Sequence, residues 1–113
     1  MFNTEKEMYP NVWRSLRRKY PKRDGWEIFH EDNWVSYRPD FVIEKKTRGR
    51  VKRVICEVKL NDITQRDVTQ INGYTRNLSG GSVNIMGKLL YVPAGTDVEL
   101  VPYDIEIHFL RDY

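Results

Sequence analysis

An α/β fold is expected from three features of this chain of 113 residues. Residues 37–44 and 54–60 are rich in β-branched and aromatic side chains and read as adjacent strands, joined by a polar turn that contains Gly49. Longer stretches before and after them carry apolar residues at helical spacing. Shorter strand-like segments complete the order α-β-β-β-α-β-β. The length supports a single domain, 1–113, with one core and no separate specificity domain.

The first helix is expected over residues 4–20. Met8, Val12 and Leu16 form an apolar stripe flanked by Tyr9 and Trp13, and Thr4 with Glu7 fits a capping box. Pro10 implies either a later start or a kink. Asp24-Gly25 marks a turn into an edge strand, 26–30, which leads on to residues 34–37. Trp26 and Trp34 are able to stack on bases, although core or edge packing is the commoner role of such residues. After the strand pair, Asn61-Asp62 offers an N-cap for a second helix over 63–78. On it Val68, Ile71, Thr75 and Leu78 form the core face, with Ile63, Asp67, Gln70 and Tyr74 on another. Gly73 weakens that helix, so close approach of another group is expected there. A glycine turn follows, then a buried strand over 87–93, a loop, a short strand over 98–101, and an alternating strand over 103–109. In the last, Ile105, Ile107 and Phe109 point inward and His108 outward.

Hydrophobic residues make up 40% of the chain and charged residues 31%, which suits a globular protein better than a disordered one. No apolar run is long enough to span a bilayer, and the first residues do not read as a signal peptide. A cytoplasmic protein without a membrane partner is therefore expected. The single cysteine, Cys56, excludes an internal disulfide and a multi-cysteine metal site within one chain. Glycine-rich phosphate loops, nucleophile elbows and zinc patterns are absent, and His30 has no second histidine at a useful spacing.

The net charge of +3 matters less than its distribution. Arg14, Arg17, Arg18 and Lys19 crowd the end of the first helix. Lys45, Lys46, Arg48, Arg50, Lys52 and Arg53 occupy the turn between the paired strands. Such runs are usually solvated surface, but two cationic patches also suit a phosphate backbone.

Strand alternation puts Ile55, Glu57 and Lys59 on one face and Val54, Cys56 and Val58 on the other. A strand otherwise apolar all round thus carries one carboxylate and one amine two residues apart, although unpaired charge in an apolar setting is costly. Pairing the strands adds Asp40 on the same side. Two oxygen-donor carboxylates are what a hard cation such as Mg²⁺ takes from a protein.

Pro39-Asp40 followed by Glu57-Val58-Lys59 resembles the PD-(D/E)XK nuclease superfamily. Gln70-Ile-Asn-Gly-Tyr74 resembles the Q-x-x-x-Y motif of its RecB-like and lambda-exonuclease-like branches. The resemblance covers nearly the whole chain and implies a restriction-endonuclease-like core with a mixed central sheet flanked by helices. It further implies Mg²⁺ or Mn²⁺ held by Asp40, Glu57 and the Val58 carbonyl, with Lys59, Gln70, Tyr74 and Glu5 as the remaining catalytic residues. The implied partner is nucleic acid, DNA in the first instance, held by Arg14, Arg17, Arg18, Lys45, Lys46, Arg48 and Arg50; a homodimer is compatible with it. A small Holliday-junction-resolvase-like endonuclease and a non-catalytic nucleic-acid-binding module remain alternatives, as does a structural protein whose charges are surface pairs.

Overall fold

The computed structural model describes residues 1–30 and 39–111; the expected strand over 34–37 with Trp34, and the first two residues of the strand over 37–44, lie outside the described residues. The first helix, α1, is Glu5–Lys19. Thr4 caps it by accepting the Glu7 N–H at 3.3 Å, but Glu7 reaches past Thr4 to the N–H of Asn3, at 2.6 Å. The capping box is therefore only half closed. Pro10 neither delays the helix nor ends it; it sits exposed inside α1, where it cannot supply the N–H that would bond the Lys6 carbonyl. Met8, Val12 and Leu16 are fully buried, as their spacing predicts.

A short 3₁₀ turn, Lys22–Asp24, leads into β1, Trp26–His30. Strand β2, Phe41–Thr47, and β3, Arg50–Val58, form a hairpin closed by Arg48 and Gly49. Both loop residues have positive φ, 49° and 77°, the geometry that suits a two-residue connection to the twist of its strands. The second helix, α2, is Gln65–Leu78, and it starts later than Asn61-Asp62 suggests. Thr64 and Asp67 close a complete capping box there. The Asp62 carboxylate instead accepts the N–H of Asp97 at 2.9 Å, tying two loops together.

Strand β4 runs Val83–Pro93, four residues longer at its start than expected, and β5 is Glu106–Leu110. Residues 98–101 are not a strand. Asp97 accepts the N–H of Glu99 at 3.0 Å and Val101 donates to the Val98 carbonyl at 3.0 Å, so local turns take the bonds a ladder would need. Phe109 is also not inward, being 51% exposed on the edge strand, whereas His108 stacks on Tyr91 with ring centroids 4.7 Å apart.

Among the described residues the sheet has five strands in the order β1-β2-β3-β4-β5. The β1–β2 and β2–β3 pairs are antiparallel, and the β3–β4 and β4–β5 pairs parallel, so the sheet is mixed. One face packs on α1 through Phe41, Ile43, Val54, Cys56, Val58, Leu89 and Tyr91. The other packs on α2 through Ile55, Leu90 and Val92. Cys56 is a buried core residue, as its alternation with Glu57 implies. No described helix is long and apolar enough to cross a membrane.

Candidate active site

The β2–β3 register sets Phe41 against Cys56, which brings Asp40, just before β2, abreast of Glu57 near the end of β3. Both side chains are buried, at 1% and 4% exposure. They are locked together through the backbone. The Asp40 N–H donates to Glu57 Oε1 at 3.0 Å, and the Val58 N–H donates to Asp40 Oδ2 at 2.7 Å. From α1, the Tyr9 hydroxyl donates to Asp40 Oδ1 at 3.0 Å. His30 Nδ1 lies 3.0 Å from the Asp40 carbonyl oxygen, fixing the end of β1 to the same point.

Lys59 follows β3 and completes the centre. Its Nζ donates to Gln70 Oε1 at 3.0 Å and lies 3.6 Å from Glu57 Oε2 and 3.5 Å from Asp67 Oδ1. Asp67 therefore serves the site as well as the helix cap. Glu5, half-buried in the first turn of α1, is within electrostatic reach of both Lys59 and Asp40.

Burial, and then the neighbouring Asp40 carboxylate, push the Glu57 carboxyl up to about 9. Burial likewise raises Glu5, against the pull of Lys59. Burial opposes the charge on Lys59, but Glu57, Asp67 and Glu5 outweigh it and shift the amine upward. Asp67 is also partly desolvated, yet hydrogen bonds from Thr64 and the charge of Lys59 bring it below the usual carboxylate range. The Tyr9 and Tyr74 hydroxyls are held firmly protonated, by burial first and by the nearby acids second.

Of the residues expected at the site, Asp40, Glu57, Lys59 and Gln70 are brought together and Glu5 stands beside them. Tyr74 does not lie apart from the core face. It is 5% exposed and packs with Val68 and Ile71, reaching the centre only through its hydroxyl and Gln70. The helix turns Tyr74 inward because it lies three residues after Ile71, on the same stripe. Gly73 has no close neighbour to explain it, since an added Cβ would meet only the Arg76 side chain at 4.0 Å. Tyr9 and Asp67 join the site without a motif to mark them; the available signal is spacing, Tyr9 lying one turn after Glu5 and Asp67 one turn before Gln70, each on the matching face.

The cationic residues are elsewhere. Lys45, Lys46, Arg48 and Arg50 surround the hairpin turn, at the opposite end of β2 and β3 from the acids. Arg17 and Arg18 lie at the end of α1 remote from Glu5, and Arg14 bonds Asn11. Arg53 is committed to Glu44, at 2.6 Å, and to the Leu78 carbonyl, at 2.5 Å.

No three His, Cys, Asp or Glu side chains form a ready-made metal cluster among the described residues. The donor set present is two hard carboxylates side by side, and burial and then their mutual repulsion raise the Glu57 carboxyl even with Lys59 3.6 Å away. Oxygen donors of this kind fit a small divalent ion that keeps most of its water. No family model, curated protein or solved structure matches the chain, so the family resemblance rests on these residues alone.

Proposed function

We propose that the protein is a metal-dependent nuclease that hydrolyses phosphodiester bonds in nucleic acid, DNA being the first substrate to test. The observation that carries this reading is the buried Asp40–Glu57 pair with Lys59 held beside it. Two adjacent buried carboxylates cost a fold stability, and a function that needs them accounts for their presence. Asp40, Glu57 and the Val58 carbonyl would hold Mg²⁺ or Mn²⁺, which when bound acidifies water and offsets charge on the phosphate.

The chain's own groups have separable parts in the reaction. The Asp40 N–H and the Tyr9 hydroxyl aim the two carboxylates, so the site is organised before substrate arrives. Lys59, kept cationic by Glu57 and Asp67, neutralises charge that develops on the phosphoryl oxygens. Gln70 fixes the Lys59 ammonium, and Tyr74 in turn supports Gln70. Glu5 adds a third carboxyl at the rim. By family resemblance the products would carry a 5′-phosphate and a 3′-hydroxyl. The burial of Tyr74 favours a second reading within the same chemistry, a junction-resolvase-like endonuclease in which Q-x-x-x-Y is partly helix packing.

Labelled single-stranded, duplex, flap and four-way-junction DNA, each incubated with Mg²⁺ or with EDTA, tests the proposal. Cleavage of at least one substrate is expected with Mg²⁺ only, and none by folded Asp40→Ala or Glu57→Ala. Undiminished cleavage by either variant would remove the assignment.

A further inference from the structure

We infer that the end of the molecule opposite the acid pair is a second phosphate-backbone site, which grips nucleic acid at a fixed distance from the point of hydrolysis. The inference deepens the nuclease reading and rests on it for the identity of the ligand.

Its first support is how many cations without an ion pair share one turn, since others such as Lys6, Arg66 and Arg76 are spread over the helices. Lys19, Arg53, Lys59 and Lys88 each meet a carboxylate within 3.6 Å. Among the described residues none of Lys45, Lys46, Arg48, Arg50 and Lys52 makes an ion pair, and all five cluster at the β2–β3 hairpin. Lys45 and Lys52 stand directly opposite one another across the strand pair, a like-charge arrangement that destabilises a sheet.

The second support is backbone chemistry. Arg48 holds φ at 49°, a conformation that favours Asn, Asp or Gly at the first loop position of such a hairpin. An arginine kept there breaks a local rule, and among the described residues its side chain makes no hydrogen bond or ion pair to offset it.

The third is shape. Arg48, Arg50 and Lys52, with Gly81 and Ser82 from the turn before β4 and Asn84 from its start, line a groove of about 730 Å³ that contains no acid. The band continues sideways: Lys45 sits 5.7 Å over the Trp26 ring, and Arg17 donates to the Trp26 carbonyl at 3.1 Å. A concave cationic groove continued past an aromatic ring suits a polyanionic strand with stackable bases; a flat anionic membrane would favour an apolar rim instead.

The strands also fix the spacing. Five residues separate Asp40 from Lys45 and seven separate Arg50 from Glu57. At about 3.3 Å per residue these are about 17 and 23 Å, the length of about 5–7 stacked nucleotides.

Binding measured in EDTA separates this inference from hydrolysis. A labelled DNA duplex of about 20 base pairs and a looped stem of about 5 are titrated at several salt concentrations. Lys45→Ala/Arg48→Asn/Lys52→Ala should lower the salt slope on the long duplex by about 2–3, with little effect on the short stem. Arg76→Ala/Lys88→Ala, which removes charge elsewhere, should leave the slope nearly unchanged. Arg48→Asn alone should weaken binding while keeping or raising the melting temperature, an outcome a structural role would not give. An unchanged slope in the triple variant, an equal drop in the control, or loss of phosphatidylserine-vesicle binding without loss of DNA binding would each overturn the second site. A normal slope change in a protein that cleaves nothing with Mg²⁺ would keep the site and remove the nuclease.

Discussion

Glu57 carries the sharpest consequence of burial. Its carboxyl rises from an ordinary 4.5 to about 9 because it is desolvated beside Asp40. Between those values the folded chain retains a proton that the unfolded chain has released, so raising the pH through this window favours unfolding. The metal-free protein should therefore lose melting temperature between about pH 5 and about pH 9, and Glu57→Gln should flatten that fall. A flat wild-type profile would mean the carboxyl is not held protonated. Mg²⁺ replaces the proton in the proposed chemistry, so it should raise the melting temperature more at about pH 8 than at about pH 5. Asp40→Ala should abolish that increment; an unaltered increment would place metal binding elsewhere. These residues were readable in the sequence because a charged Glu57-x-Lys59 inside an apolar strand has no bland explanation that avoids a partner. Tyr9 is not legible as a site residue in the sequence, since an aromatic flanking a helical stripe has the pattern of packing and only the fold puts its hydroxyl on Asp40.

At the scale of the element, the two helices differ in how well they suit themselves. Helix α1 tolerates Pro10 at an exposed interior position, which leaves the Lys6 carbonyl without its helical donor. Pro10→Ala should stabilise the protein by up to about 3 kcal/mol in urea unfolding, unless the proline sets a bend that seats Tyr9. Stability that rises while cleavage falls would reveal that bend. Helix α2 is well capped, and its Gln70–Tyr74 pair divides between site and core. Gln70→Ala should leave melting nearly unchanged and slow cleavage by about one to three orders of magnitude. Tyr74→Phe keeps the buried ring, so it should be milder than Tyr74→Ala, which should cost about 3–5 kcal/mol. Loss of stability with an unaltered rate in Gln70→Ala would leave Q-x-x-x-Y a matter of packing. Helical spacing places both helices, but α2 starts later than Asn61-Asp62 implies because Asn61, Asp62 and Thr64 are all competent caps. Only Thr64 has an acid three residues later to close the box. Residues 98–101 failed similarly, as an alternating apolar pattern too short to outweigh side-chain turns.

For the molecule as a whole, sequence order shows that two cationic clusters exist but not that both lie at the end of the sheet away from the acids. That placement follows from the hairpin register and the direction of α1, which are long-range facts. The same topology makes one cooperative unit out of two cores. Strands β3 and β4 send Val54, Cys56, Val58, Leu89 and Tyr91 to the α1 side and Ile55, Leu90 and Val92 to the α2 side. Neither layer can loosen without exposing the back of the strands that the other needs. Leu16→Ala on α1 and Ile71→Ala on α2 should each cost about 2–5 kcal/mol. Each should give a single unfolding transition, coincident by far-ultraviolet circular dichroism and by tryptophan fluorescence, to which Trp13 and Trp26 on the α1 side contribute. Lying on opposite faces with no shared side-chain partner, the two losses should add within about 0.5 kcal/mol in the double variant. If Ile71→Ala instead melts α2 first while the tryptophan signal persists, the layers are separable. The site, which draws Tyr9 to Asp40 from one layer and Gln70 to Lys59 from the other, would then be assembled only when both are folded.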